Sequence, residues 1–128
     1  MPDLFLFASQ EDAKILSMYI EMIGPVLRSA TASAIPDLKS DPGKVAVYII
    51  AHQGGDNIPP LQIVGMASWS EEREKHIDSW KKALASAWNT LIQTHGLSPY
   101  KDKFPVDEVE IWPTMPKGSW GLAGQIWR

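Results

Sequence analysis

The sequence predicts an α+β fold in which two tandem β-α-β units form one four-stranded sheet with two helices on one face. Three observations carry this. Four short apolar runs have strand character: LFLFAS (4–9), KVAVYIIAH (44–52), LQIVGMAS (61–68) and VDEVEIW (106–112). Two long stretches, each following the first strand of a pair, place apolar residues at helical spacing. The halves also echo each other, since LFLFAS running into SQEDAK is repeated in character by IVGMAS (63–68) followed by SEEREK (70–75). One domain over 1–128, with repeat halves of about 1–58 and 59–128, is the organisation expected.

Each element has a local reason. In the first strand Pro2 has no N–H for a ladder and stands where a strand tolerates proline, at its first position. Ser9 can cap the following helix, with Glu11 and Asp12 in its first turn. Ile15, Leu16, Tyr19, Ile20, Ile23 and Leu27 make its apolar stripe, and Gly24-Pro25 is expected to kink or end it. A Ser, Pro and Asp-rich loop then leads to the β-branched second strand. GGDNIPP is turn chemistry before the third strand. The second helix spans 70–96, capped by Ser70 and stopped by Gly96, with Ile77, Trp80, Leu84, Trp88 and Leu91 on its buried stripe. Parallel pairing through each crossover helix leaves one sheet face uncovered, and an apolar face of that size implies a partner, most simply other copies of the chain.

Composition narrows the function. The chain has 128 residues, 45% of them hydrophobic, and a net charge of −3. No basic stripe is present, which argues against nucleic acid as a partner. The absence of cysteine removes thiol catalysis and zinc-thiolate sites and fits a cytoplasmic location. No apolar run approaches a bilayer span, and the N-terminus lacks the basic flank of a signal peptide, so no membrane partner is expected. His52, His76 and His95 lack metal-ligand spacing. Of six tryptophans, Trp80 and Trp88 read as core, and Trp112 and Trp127 as interface anchors.

The tail TMPKGSWGLAGQIW (114–127) resembles the segment after the last strand of 4-oxalocrotonate tautomerase, with Met115, Lys117, Gly118, Gly121 and Gly124 in matching places. VAVYIIAHQ (45–53) resembles the second strand of macrophage migration inhibitory factor, and QGGDNI (53–58) is similar to the approach to the third strand in the cis-3-chloroacrylic acid dehalogenase branch. With the repeat and Pro2, these pieces run in order along nearly the whole chain and resemble the tautomerase superfamily.

That resemblance implies a homotrimer, loss of Met1, and a Pro2 nitrogen acting as general base or acid. Burial in an apolar pocket disfavours the ammonium and leaves a neutral amine near pH 7. The implied substrate is a small 2-oxo or enol carboxylic acid, converted without metal or cofactor, against an aromatic wall at Trp120. The arginines that hold substrate carboxylates in the family are not matched, because their places fall on Ala8, Trp69, Ala46 and Val109. Arg73, in the first turn of the second helix, and Lys39 or Lys44, before the second strand, are the candidate replacements. Tyr48 is a candidate phenol for the pocket, with core packing as its alternative. The rival functions are decarboxylation or dehalogenation of a small carboxylic acid from the same proline, a non-catalytic trimeric binding or structural protein that lacks the arginines, and an unrelated monomeric binding domain.

Overall fold

A computed structural model describes residues 2–94 and 96–117. Four strands, β1 (Asp3–Ser9), β2 (Ala46–His52), β3 (Leu61–Met66) and β4 (Val109–Thr114), form one sheet in the order β2-β1-β3-β4. β1 pairs parallel with β2, and β3 parallel with β4, while β1 and β3 meet antiparallel at the centre. The two β-α-β units therefore lie side by side, as the repeat predicts.

Alternation along the strands sorts the two faces. Leu4, Leu6 and Ala8 of β1, Leu61 and Ile63 of β3, and Val109 and Ile111 of β4 are buried on the helix side. The intervening residues look the other way. On that open face the ladder lines up Tyr48, Phe5, Val64 and Trp112 in one row across all four strands. Tyr48 stacks on Phe5 with ring centroids 5.3 Å apart. Tyr48 is 48% and Trp112 55% exposed, so the apolar row is uncovered in the single chain.

The helical layer departs from the sequence expectation in its breaks. The first helical arm divides at Tyr19 into α1 (Gln10–Met18) and α2 (Ile20–Ala34) and does not end at Pro25, which lies inside α2. Pro25 forfeits one helical hydrogen bond, to the carbonyl of Glu21, and Glu21 is an exposed residue whose carbonyl can turn to water. Tyr19 resets the helix instead, taking φ −113° while its N–H bonds the Leu16 carbonyl at 3.1 Å. The second arm is likewise divided, into a single turn α3 (Glu71–Glu74) and the long α4 (Ile77–Thr94). The fourth strand also starts later than expected, because Val106–Glu108 forms a 3₁₀ turn before Val109.

α4 supplies the centre of the core. Trp80 and Trp88 are fully buried, as their place on the stripe predicts. Each indole N–H has a partner: Trp80 Nε1 donates to Thr31 Oγ1 on α2 at 2.9 Å, and Trp88 Nε1 to the Phe104 carbonyl at 3.0 Å. The Trp80 ring lies so close to β3 that a Cβ at Gly65 would fall 2.5 Å from its Cζ2 atom. Among the described residues no helix is long and apolar enough to cross a membrane.

Candidate functional site

Three short pieces of chain meet at the start of β1. The first is Pro2, buried, whose carbonyl accepts from the Ala46 N–H at 3.1 Å and so is tied to the start of β2. The second is the loop before β2, which makes two 3₁₀ turns, Pro36–Leu38 and Pro42–Lys44. Leu38, only 3% exposed, anchors the first turn in the core and so fixes its neighbour Asp37. Asp41 caps the second turn by accepting from the Gly43 N–H at 2.9 Å, which sets the direction of Lys44. The third piece is α3, whose capping Ser70 accepts from the Arg73 N–H at 3.0 Å.

These pieces enclose a recess of about 280 Å³ lined by Pro2, Asp37, Leu38, Lys44 and Arg73. Arg73 is held from both sides. Its Nε lies 3.1 Å from both Asp37 carboxylate oxygens and its Nη2 2.8 Å from Oδ2, while Nη1 donates to the carbonyl and the hydroxyl of Ser68 at 3.2 and 3.0 Å. The Arg73 hydrogen bonds hold the Asp37 carboxyl below its ordinary pKa against the opposing effect of burial, with the charges of Arg73 and Lys44 adding to the shift. Two cations and one carboxylate leave the lining with a formal charge of +1 beside Pro2.

Larger hollows lie elsewhere, one of about 350 Å³ between α4 and β4 and one of about 420 Å³ beside the Asn57–Pro60 turn. The first carries Lys81 and Glu110, and the second two carboxylates, Glu108 and Glu110. The recess at Pro2 joins two cations, Lys44 and Arg73, to a proline, which neither of these hollows does, so chemistry rather than size selects it.

The comparisons with known proteins agree with the topology. No family model matches the sequence, and no curated protein matches it. Solved structures do. A protein of unknown function from Vibrio cholerae superposes with a TM-score of 0.57 at 12% identity, covering 91% of this chain and 78% of that one. A fused 4-OT solved as an asymmetric trimer gives a TM-score of 0.55 at 13% identity, over 98% of this chain and 99% of the other. Native fused 4-OT gives 0.51 at 17% identity over the same shares. The chain has the fold of the fused 4-OT structures. Its two β-α-β units match the fused 4-OT structures over 98% of this chain.

On this fold the structure places the candidate residues unequally. Arg73 and Pro2 share the recess. Both lysines before β2 are exposed, but Lys44 joins them in the lining, whereas Lys39, in the left-handed region at φ 55°, lies outside it. Tyr48 is neither in this recess nor in the core of the chain but on the open sheet face against Phe5. Trp120 lies outside the described residues. Trp69 receives a cation: Lys117 Nζ lies 4.6 Å from its ring centroid, and its own indole N–H donates to Glu74 Oε2 at 2.6 Å. Asp37 and Leu38 are the lining residues that sequence reasoning missed, and Asp37 is the charged one. A single acid in a Pro and Ser-rich loop carries no periodic signal, and only folding sets it opposite Arg73.

Proposed function

We propose that the protein is a tautomerase-type enzyme whose Pro2, freed by removal of Met1, moves a proton between carbon and oxygen of a small 2-oxo or enol carboxylic acid. The observation that carries this reading is the convergence of Pro2, Lys44 and Arg73 on one recess. A proline made N-terminal by loss of Met1 is a secondary amine, and neighbouring cations together with burial disfavour its protonated form. A neutral amine near pH 7 can take the proton from the enol hydroxyl, or from the carbon next to the ketone, and return it to the other atom. The reaction is a net isomerisation with no change of oxidation state. Lys44, rather than Lys39, holds the substrate carboxylate, and Trp120 supplies an apolar wall.

The reading extends to assembly. The row Tyr48, Phe5, Val64 and Trp112 is the face that other copies of the chain cover, in a homotrimer. The solved fused 4-OT assemblies are trimers, which supports the same arrangement here.

The test is ketonisation of phenylpyruvate enol, followed by absorbance, with intact mass taken on the same sample. Activity is expected in protein that has lost Met1 and is abolished in Pro2→Ala with unchanged oligomeric mass. Activity that survives Pro2→Ala rules out the proline as base. An inactive wild type with Met1 removed favours the binding-protein alternative.

A further inference from the structure

We infer that Asp37 restricts the recess to acids bearing a single carboxylate, by occupying the arginine that a second carboxylate would need. The inference rests on the recess being an acid-binding site, as proposed above. A guanidinium grips a carboxylate best through two N–H groups side by side. In Arg73 the Nε and Nη2 side is already filled by the two oxygens of Asp37, and Nη1 is engaged by Ser68. The Arg73 side chain is 14% exposed, so a ligand cannot reach it freely from solvent without displacing Asp37. Among the described residues Lys44 has no carboxylate within ion-pair distance, which leaves it as the cation open to a ligand. Charge balance says the same. A lining of formal charge +1 is neutralised by one carboxylate, and a second would stand beside the like charge of Asp37 with no further cation in the lining to pair with.

Crotonate and fumarate share a four-carbon trans skeleton and differ in one carboxylate, so they separate the cases by isothermal titration on the full chain. The wild type is expected to bind crotonate more tightly than fumarate, and Lys44→Ala to weaken crotonate by about tenfold or more, the scale of one charge-assisted contact. Asp37→Asn keeps the side-chain shape and removes the charge. It is expected to improve fumarate by about tenfold or more while crotonate changes by less than about threefold, because Arg73 becomes available as a second anchor. Should Asp37→Asn not fold, Asp37→Ser carries the same comparison. An unchanged fumarate-to-crotonate ratio, with crotonate still held through Lys44, overturns the role of Asp37 and leaves the acid site standing. Binding of neither acid by the wild type or the variant overturns both.

Discussion

Arg73 and Asp37 face each other across the recess as a fork, with Nη2 2.8 Å from Oδ2 and Nε 3.1 Å from each carboxylate oxygen. The pair joins α3 to the loop before β2, so it holds together two of the three chain pieces that border Pro2. It also makes the stability of this corner depend on pH. The Asp37 carboxyl is held below its ordinary pKa, chiefly by the Arg73 hydrogen bonds, so the unfolded chain binds its proton more readily than the folded one. Its contribution is therefore fully present above the ordinary carboxylate pKa and is lost as pH falls through the lowered one. Urea midpoints of wild type and Asp37→Asn should differ at neutral pH and converge below about pH 4. A gap that stays constant through that range would show that the carboxylate charge is not what stabilises the corner.

The buried hydrogen bond between Trp80 Nε1 and Thr31 Oγ1 pins α4 to α2. Thr31→Val preserves shape but leaves the indole N–H without its acceptor in a fully buried place. The expected loss is about 1–3 kcal/mol of unfolding free energy, measured in urea, with Thr31→Ser recovering part of it.

Gly65 is required by the same tryptophan. A methyl group there would overlap the Trp80 ring, whose Cζ2 and Cη2 atoms stand 2.5 and 2.7 Å from the ideal Cβ position. The ring is fully buried and has nowhere to retreat without losing its bond to Thr31. Gly65→Ala should therefore destabilise the fold by about 1–3 kcal/mol or more. A thermal midpoint equal to that of the wild type would mean the ring is free to shift.

Trp112 is the most exposed aromatic of the open face and lies in register with Val64. If other copies cover that face, Trp112→Glu buries a charge at the contact and should shift the light-scattering mass from three chains towards one. A wild type that already runs as one chain would remove the trimer from the proposed function.

Much of the fold was legible because its signals are periodic. Leu4, Leu6 and Ala8 alternate as a half-buried strand must, and Trp80, Leu84, Trp88 and Leu91 recur on one helical face. What the sequence hid depends on single residues in context. Pro25 reads as a helix breaker, yet it costs only one hydrogen bond at an exposed turn, whereas Tyr19 breaks the helix without any local signal. In the recess, Arg73 was visible as a cation at the start of a helix. Lys39 and Lys44 looked equivalent by sequence, and the left-handed turn at Lys39 and Ser40 separates them, leaving Lys44 in the lining. Asp37 became visible only as the partner of Arg73.

The Pro2 nitrogen itself offers the most direct measurement: its ¹⁵N chemical shift followed against pH in uniformly labelled protein. The proposed mechanism predicts a free amine that titrates below the ordinary α-amino range of about 7.7–8.0, because burial and the net positive charge left by Lys44 and Arg73 against Asp37 disfavour its charged form. An amide nitrogen that does not titrate, because Met1 is still attached, would contradict it, as would an amine titrating within or above that range.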